Sequence, residues 1–277
     1  MSGLNLLKSG LTFRLKAPAG ERLDISSLIP SKLAKLSSYD ITSLKVGMGK
    51  DAISVGDAFD ISGTLGDTIT IEGSGAGLDF AGAGLDGGTL RIIGNAGLQA
   101  ARKMTGGKLE ISGNAGHALG TGMSGGLVHV SGNAGDNIGG VLPGDRFGMA
   151  GGTIVIEGNI GARAGDKMRR GTIIVRGKTG DGAGTRMMGG TIWAEGGIGP
   201  LPGLMMRRGT LLGPSVERLL PTFVDCGNHD LVIVRVLSRY LKATLGDLAP
   251  KPMPLFVKKI AGDMATIGKG EILLPAA

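Results

Sequence analysis

The middle of the chain alternates apolar and polar residues in short stretches that return at a nearly fixed interval. Each stretch belongs to a motif of the form Gly-Gly-Thr-Ile-x-Ile-x-Gly-Asn-x-Gly, and the copies are spaced by 19, 19, 26, 19, 19 and 19 residues. Alternation with a period of two predicts a strand in every copy, and a short fixed period predicts repeats that stack along one axis. The copies begin at Gly87, Gly106, Gly125, Gly151, Arg170, Gly189 and Arg208.

Three columns of equal phase predict what holds the repeats together. One alternate set of strand positions is aliphatic throughout and is expected to point inward. A second column holds six methionines, interpreted as flexible core filling. A third holds four asparagines, a residue type that tolerates a left-handed turn and can hydrogen-bond to neighbouring repeats. The inward set is Ile69, Ile71, Leu90, Ile92, Leu109, Ile111, Val128, Val130, Ile154, Ile156, Ile173, Val175, Ile192 and Ala194. The methionines are Met104, Met123, Met149, Met168, Met187 and Met206, and the asparagines are Asn95, Asn114, Asn133 and Asn159.

These patterns predict an all-β fold, because a period of 19 residues is too short for a strand and a packed helix. We predict a single-stranded right-handed parallel β-helix, with successive coils about 4.8 Å apart. Glycine is abundant, at 54 residues, but follows no three-residue period, which excludes collagen. The hexapeptide pattern of left-handed β-helices is also absent.

The β-helix is predicted over residues 46–213, between a non-repeating N-terminal cap (1–45) and a C-terminal helix with an extended tail (214–277). In the cap, residues 11–16 predict a strand and residues 28–38 a short helix entered through Pro30. Residues 228–246 predict a helix with Asn228 as its N-cap. The tail is expected to pack along the repeats or on a neighbour. The apolar face of the C-terminal helix is predicted to consist of Leu231, Val234, Leu237, Leu241 and Leu245.

The outward strand column becomes apolar along the stack. It ends in Val155, Ile174 and Trp193, named here the apolar strip. An apolar strip on an outward face is normally covered. Two alternatives remain open: the chain's own C-terminal tail, or a partner protein.

The 26-residue step contains an insertion of seven residues near Gly140 to Arg146, which is predicted to project as a loop. Its apolar and charged content makes it a candidate docking loop, with a neutral surface loop as the alternative. The candidate contact residues are Val141, Leu142, Asp145, Arg146 and Phe147.

The net charge of +7 is concentrated in the later repeats, where nine basic residues oppose three acidic ones between Ile160 and Thr210. This excess indicates a surface for an acidic partner or an anionic ligand, with ordinary solvated charge as the alternative. The absence of interleaved aromatic residues argues against nucleic acid. With the apolar strip, the candidate surface residues are Arg163, Lys167, Arg169, Arg170, Arg186, Arg207 and Arg208.

No catalytic constellation emerges from the sequence, and we predict no catalytic, cofactor-binding or metal-binding residue on this chain. The three histidines lie in unrelated contexts, and the single Cys226 alone cannot hold a zinc ion or an iron–sulfur cluster. No apolar run reaches the roughly 18 residues that span a bilayer. A cytoplasmic location is therefore expected.

The repeat resembles the glycine-rich β-helix domain of glutamate synthase, and four further segments are more specific. They are ISVGDAFDISG (53–63), GDRFGMAGGTIVIEGN (144–159), LLPTFVDCG (219–227) and GDMATIGKGEI (262–272). Together they resemble the family of C subunits of formylmethanofuran dehydrogenases, from about Leu11 to Leu274. Within that family the chain is most similar to the bacterial branch found in the formyltransferase/hydrolase complexes of methylotrophs.

The resemblance implies a role in one-carbon metabolism and formaldehyde oxidation. The complex would transfer a formyl group from tetrahydromethanopterin to a methanofuran-type carrier and hydrolyse formylmethanofuran to formate. The hydrolase (A), B and formyltransferase (D) subunits would be the partners of a non-catalytic scaffold. The carrier and the hydrolase metal are expected on partner subunits. An archaeal-type tungsten or molybdenum dehydrogenase, or a glutamate-synthase-like β-helix domain, is the alternative.

Overall fold

The computed structural model describes residues 10–16, 22–47, 52–73 and 77–276. Their regular secondary structure is mainly strand, which confirms the all-β fold class. The strands are β1 (Leu11–Leu15), β2 (Leu23–Asp24), β3 (Lys45–Val46), β4 (Ile53–Ser54), β5 (Phe59–Gly63), β6 (Thr68–Glu72), β7 (Leu78–Asp79), β8 (Thr89–Ile93), β9 (Lys108–Ile111), β10 (Leu127–Val130), β11 (Ala150–Ile156), β12 (Arg170–Val175), β13 (Thr191–Ala194), β14 (Arg208–Leu212), β15 (Val224–Asp230), β16 (Phe256–Gly262) and β17 (Lys269–Pro275). The helices are α1 (Pro30–Leu33), α2 (Ser38–Ser43), α3 (Val55–Ala58) and α4 (Val232–Leu245).

Thirteen of these strands form one mixed sheet in the order β15-β16-β17-β14-β13-β12-β11-β10-β9-β8-β6-β1-β5. From β6 to β14 the neighbours are parallel and follow the order of the chain. The register joins positions of equal phase, and it survives the 26-residue step, because Val128 lies opposite Ile154. A second column of parallel bridges joins Ala96, Ala115, Ala134 and Ile160.

The inner face of the sheet contains the predicted aliphatic columns, all of which are buried in one hydrophobic cluster. The six methionines are fully buried in the same cluster, as predicted. Their packing explains the second glycine of the motif. A Cβ atom at Gly126, where φ is +85°, would lie 2.5 Å from Cε of Met104, and one at Gly152 would lie 2.6 Å from Cε of Met123. The five methionines from Met104 to Met187 therefore occupy space that a glycine of the next repeat leaves open, and Met206 lies in the same way against Gly270 of β17.

The four asparagines form a hydrogen-bonded ladder, which confirms their predicted role. The backbone N–H of Asn114 donates to Oδ1 of Asn95 at 2.7 Å, and those of Asn133 and Asn159 donate to the preceding asparagine at 2.8 Å. The ladder ends at Lys178, whose N–H donates to Asn159. None of the four has a positive φ, so the left-handed conformation that asparagine tolerates is not used at these positions. In the ladder their side chains act as acceptors.

The N-terminal segment extends the same sheet. The predicted strand is β1, which pairs antiparallel with β5 and parallel with β6. The helix predicted over residues 28–38 is shorter than expected. It is α1, with Pro30 at its start, and a separate helix α2 follows. The break arises because the Ser37 side chain accepts a hydrogen bond from the N–H of Asp40 and begins a new helix with a capping box.

The C-terminal segment returns to the end of the sheet. β17 pairs parallel with β14, and β16 pairs antiparallel with β17, so the tail packs on the last repeat. The predicted N-cap at Asn228 is wrong. Asn228 and His229 lie in β15, and α4 begins after Leu231 without a side-chain cap, because pairing with β16 keeps this stretch extended. The predicted apolar face of α4 is correct and packs on the outer face of the sheet.

Candidate interaction site

The apolar strip lies under the chain's own C-terminal segment. Val155, Ile174 and Trp193 are buried in a second hydrophobic cluster together with Val234 and Leu241 of α4. β11, β12 and β13 thus present their outward side chains to the helix rather than to water. The structure therefore shows the first alternative, in which the chain's own C-terminal segment covers the strip. These three residues of the predicted contact surface are buried and are not accessible to a partner.

The insertion loop (residues 142–147) leaves the repeat at Val141 and returns at Gly148. Both ends are held by the following repeat: the N–H of Val141 donates to the Asp166 carbonyl at 3.0 Å, and that of Gly148 donates to the Lys167 carbonyl at 3.1 Å. Within the loop, the Asp145 carboxylate lies 3.8 Å from Arg102 and 3.9 Å from Lys103. The loop is therefore tied to repeats on both sides of it.

A buried carboxylate organises the basic side chains next to the insertion loop. Asp166 is 2% exposed and accepts two hydrogen bonds from Arg186, at 2.8 and 2.5 Å, and one from Arg163 at 2.6 Å. The hydrogen bonds to Asp166 raise the pKa of the Arg186 guanidinium above its ordinary value, against the opposing effect of partial burial. Asp166 neutralises one of the two charges and fixes the direction of both side chains.

The loop and these side chains enclose a cleft of about 510 Å³, named here the basic cleft. It is lined by His117, Asp136, Asn137, Val141, Leu142, Pro143, Gly144, Asp145, Ala162, Arg163, Asp166, Lys167 and Arg186. Arg163, Lys167 and Arg186 all adopt positive φ values between 51° and 58°. Backbone of this kind is costly for long side chains and usually belongs to glycine. At the phase of Lys167 and Arg186, other repeats have Gly84 and Gly122.

A smaller cleft of about 310 Å³ continues the basic surface beyond Lys167 and Arg186. Phe147, from the insertion loop, contributes to its lining. The guanidinium carbon of Arg146 lies 4.9 Å from the centre of its ring and that of Arg169 lies 4.5 Å from it. Two cation–π contacts thus hold the end of the loop against the basic surface.

The remaining predicted basic residues continue this surface at the strand starts. Arg170 and Arg208 are exposed at the first positions of β12 and β14, and Lys269 lies opposite Arg208 in the sheet. Arg207 lines the smaller cleft. Among the described residues, no carboxylate forms an ion pair with Lys167, Arg169, Arg170, Arg207 or Arg208.

Sequence reasoning missed Asp166 as the centre of the cluster and counted it only as an opposing charge. A signal was present in the sequence, because Asp166 is acidic whereas the residues of equal phase in other repeats are not. Those residues are Arg102, Thr121, Gly140, Thr185 and Leu204. His117 and Asn137, which line the basic cleft, come from two different earlier repeats and carry no such signal.

The fixed guanidinium and ammonium groups beside the insertion loop are of the kind that bind carboxylates or phosphates. Within residues 10–16, 22–47, 52–73 and 77–276, no group of three or more His, Cys, Asp or Glu side chains is placed to hold a metal ion. Over the same residues, no helix is long and apolar enough to cross a membrane.

Comparison with known proteins relates the whole chain to one complex. No protein family model matches the sequence. The chain is 50% identical over 265 residues to the C subunit of the formyltransferase/hydrolase complex Fhc of Methylorubrum extorquens, covering 96% of this chain and 99% of that protein. It is also similar to a chain in the crystal structure of the formyltransferase/hydrolase complex FhcABCD of Methylorubrum extorquens in complex with methylofuran. That match has a TM-score of 0.85 and 38% identity, over 96% of this chain and 100% of the other.

Proposed function

Because the chain belongs to the family of C subunits of the formyltransferase/hydrolase complex, we propose that it is the non-catalytic structural subunit of such an enzyme complex. The observation that carries this proposal is the 50% identity over almost the full length of both chains. The composition of the repeats supports the non-catalytic role. Their inner columns are aliphatic or methionine and fully buried, so these columns contribute no acid, base or nucleophile.

The reaction of the proposed complex has two steps. A formyl group passes from tetrahydromethanopterin to a methanofuran-type carrier, and formylmethanofuran is then hydrolysed to formate. The related complex is FhcABCD, and its crystal structure contains methylofuran, which supports the hydrolase (A), B and formyltransferase (D) subunits as partners. The hydrolase metal is assigned to the hydrolase, formyl transfer to the formyltransferase, and the carrier to the partner subunits.

We further propose that residues 46–213 form a right-handed parallel β-helix, between a cap over residues 1–45 and a C-terminal unit over residues 214–277. Three observations support this architecture: the parallel register between equal-phase positions, the second column of parallel bridges, and a core enclosed by both. The main sheet continues across both boundaries through β1 and β17, so the three parts share one framework.

The basic cleft and the neighbouring arginines are the proposed contact for an acidic partner segment or an anionic ligand of the complex. Arg163 and Arg186 are already oriented by Asp166, so little side-chain entropy is lost on binding. The insertion loop residue Leu142 and the adjoining Val141 add apolar contacts at the rim. The loop therefore acts as part of the same contact surface.

The test of the structural role is separation of this chain from its partners. We expect the purified full-length chain to show no formyltransferase or formylmethanofuran hydrolase activity, with or without added divalent metal ions. Added to a complex assembled without it, the chain should restore association of the other subunits, measured by size-exclusion chromatography with mass detection. Activity of the isolated chain would contradict the proposal, and the same preparation of a complex containing all subunits is the positive control.

A further inference from the structure

The outward face of α4 exposes apolar side chains that the described residues do not cover. Val232, Ile233, Val236 and Tyr240 are 64%, 58%, 54% and 60% exposed. Their spacing places them on one side of the helix, opposite Val234 and Leu241, which are buried against the sheet. A helix that is apolar on both sides is normally buried on both sides. The sheet covers only one of the two apolar sides of α4.

The strand next to this face is protected against pairing with another strand. β15 is the edge of the sheet, but its register with β16 shifts between Asp225 and Asn228. The His229 ring contacts the Cys226 carbonyl oxygen at 2.9 Å, and the N–H of Gly227 donates to Asp225 at 2.9 Å. Irregular edges of this kind discourage strand addition. In this part of the molecule a partner is therefore expected on the helix face rather than on the strand edge.

Charge indicates what the partner presents. Arg239 is exposed between Val236 and Tyr240, and in the described chain it forms no ion pair. The acidic residues that flank α4 face other basic side chains: Asp230 accepts hydrogen bonds from Arg235, and Asp247 lies 3.5 Å from Lys242. A second copy of this chain would bring the same face, which contains Arg239 and no acidic residue. Charge complementarity thus favours a different protein.

We propose that the outward face of α4, formed by Val232, Ile233, Val236, Arg239 and Tyr240, is the surface that docks this chain onto another subunit of its complex. That partner presents apolar side chains around a carboxylate that pairs with Arg239. The inference rests on the proposed function, since it takes the partner from the same complex. It concerns a surface distinct from the basic cleft.

The test uses the tagged full-length chain expressed together with all other subunits of the complex. Val236→Lys places a second positive charge beside Arg239 on an exposed position, so the isolated chain should keep its circular dichroism spectrum and melting temperature. Retention of the other subunits on the tag should fall at least about tenfold, the effect of losing one central contact. The matched control is Ile93→Lys, which makes the same change at an exposed position of β8 and should retain all subunits.

A second pair of variants tests the predicted carboxylate. Arg239→Glu should weaken retention of the partners, whereas Arg239→Lys should keep most of it. Retention by Val236→Lys at the wild-type level overturns the docking face while leaving the proposed function intact. If the wild-type chain retains neither the transferase nor the hydrolase, the proposed function itself fails. A homodimer of the isolated chain that Val236→Lys dissociates would also overturn the inference, by assigning the face to a second copy.

Discussion

Each Gly-Asn pair of the motif joins two neighbouring repeats through a single side chain. The asparagine Oδ1 accepts the backbone N–H of the asparagine one repeat later, and it lies where a Cβ on the glycine of that repeat would be. Gly132 therefore accommodates Asn114, and Gly158 accommodates Asn133. The two residues recur together because the acceptor needs the space that only glycine leaves.

The asparagine ladder predicts a measurable contribution to stability. Asn114→Ala removes the acceptor of the Asn133 N–H and should lower the free energy of unfolding by about 1 kcal/mol, the usual value for one such hydrogen bond. The control is Lys178→Ala, at the same phase, where the side chain is exposed and only the backbone takes part in the ladder. Urea unfolding of the isolated chain measures both. Equal effects of the two substitutions would show that the ladder adds nothing.

At the scale of elements, α4 makes the outer face of the sheet differ between its later strands, which the helix covers, and its earlier strands, which it does not cover. Its inner residues Val234 and Leu241 bury the apolar strip, while the corresponding outward positions of earlier strands remain polar, as at Arg91 and Glu110. The helix therefore lies over the later strands because only those offer an apolar surface to it.

The covering by α4 predicts that two adjacent substitutions change stability by very different amounts. Leu241 is 1% exposed and shares a cluster with Trp193, so Leu241→Ala should cost about 2–4 kcal/mol through the cavity it leaves. Tyr240→Ala, on the exposed side, should change the stability of the isolated chain by less than about 0.5 kcal/mol. Trp193 is the only tryptophan and reports both unfolding transitions by its fluorescence.

The same tryptophan distinguishes covering by the chain from covering by a partner. Trp193 should emit as a buried tryptophan in the isolated chain, and its emission maximum should not move when tryptophan-free variants of the partner subunits are added. A shift towards shorter wavelength on assembly would mean that the helix leaves the strip open in solution.

For the whole molecule, the repeats are uniform inside and polarised outside. The early repeats present paired charges such as Arg91 with Glu110, whereas the later ones combine the apolar strip under α4 with an excess of basic side chains around Asp166. The molecule is therefore uniform in its inner packing, whereas its outer face differs between the earlier and the later repeats. Both proposed contact surfaces lie towards its C-terminal half.

The concentration of basic side chains in the later repeats predicts a salt-dependent loss of assembly or carrier use when these charges are reversed. Reversing Arg170 and Arg208 to Glu should weaken retention of the partners or the steady-state rate of the full complex, and the deficit should depend on ionic strength, because exposed charges are screened by salt. The control reverses Lys35 and Lys45, two exposed residues of the N-terminal segment, and changes the net charge equally. Identical behaviour of the two double variants at low salt would reduce the cluster to ordinary surface charge.

The sequence by itself determined the all-β class, the inward columns, the asparagine ladder and the buried face of α4, because each depends on a period that recurs within a few residues or repeats. The tertiary structure alone decided which segment covers Val155, Ile174 and Trp193, that Asn228 belongs to a strand, and that Asp166 gathers Arg163 and Arg186. These outcomes depend on pairings between distant parts of the chain, such as β16 with β15 and β17, and on the side-chain directions set by the turns. A local sequence pattern shows which face of an element is apolar, but what packs against that face depends on how the whole chain folds.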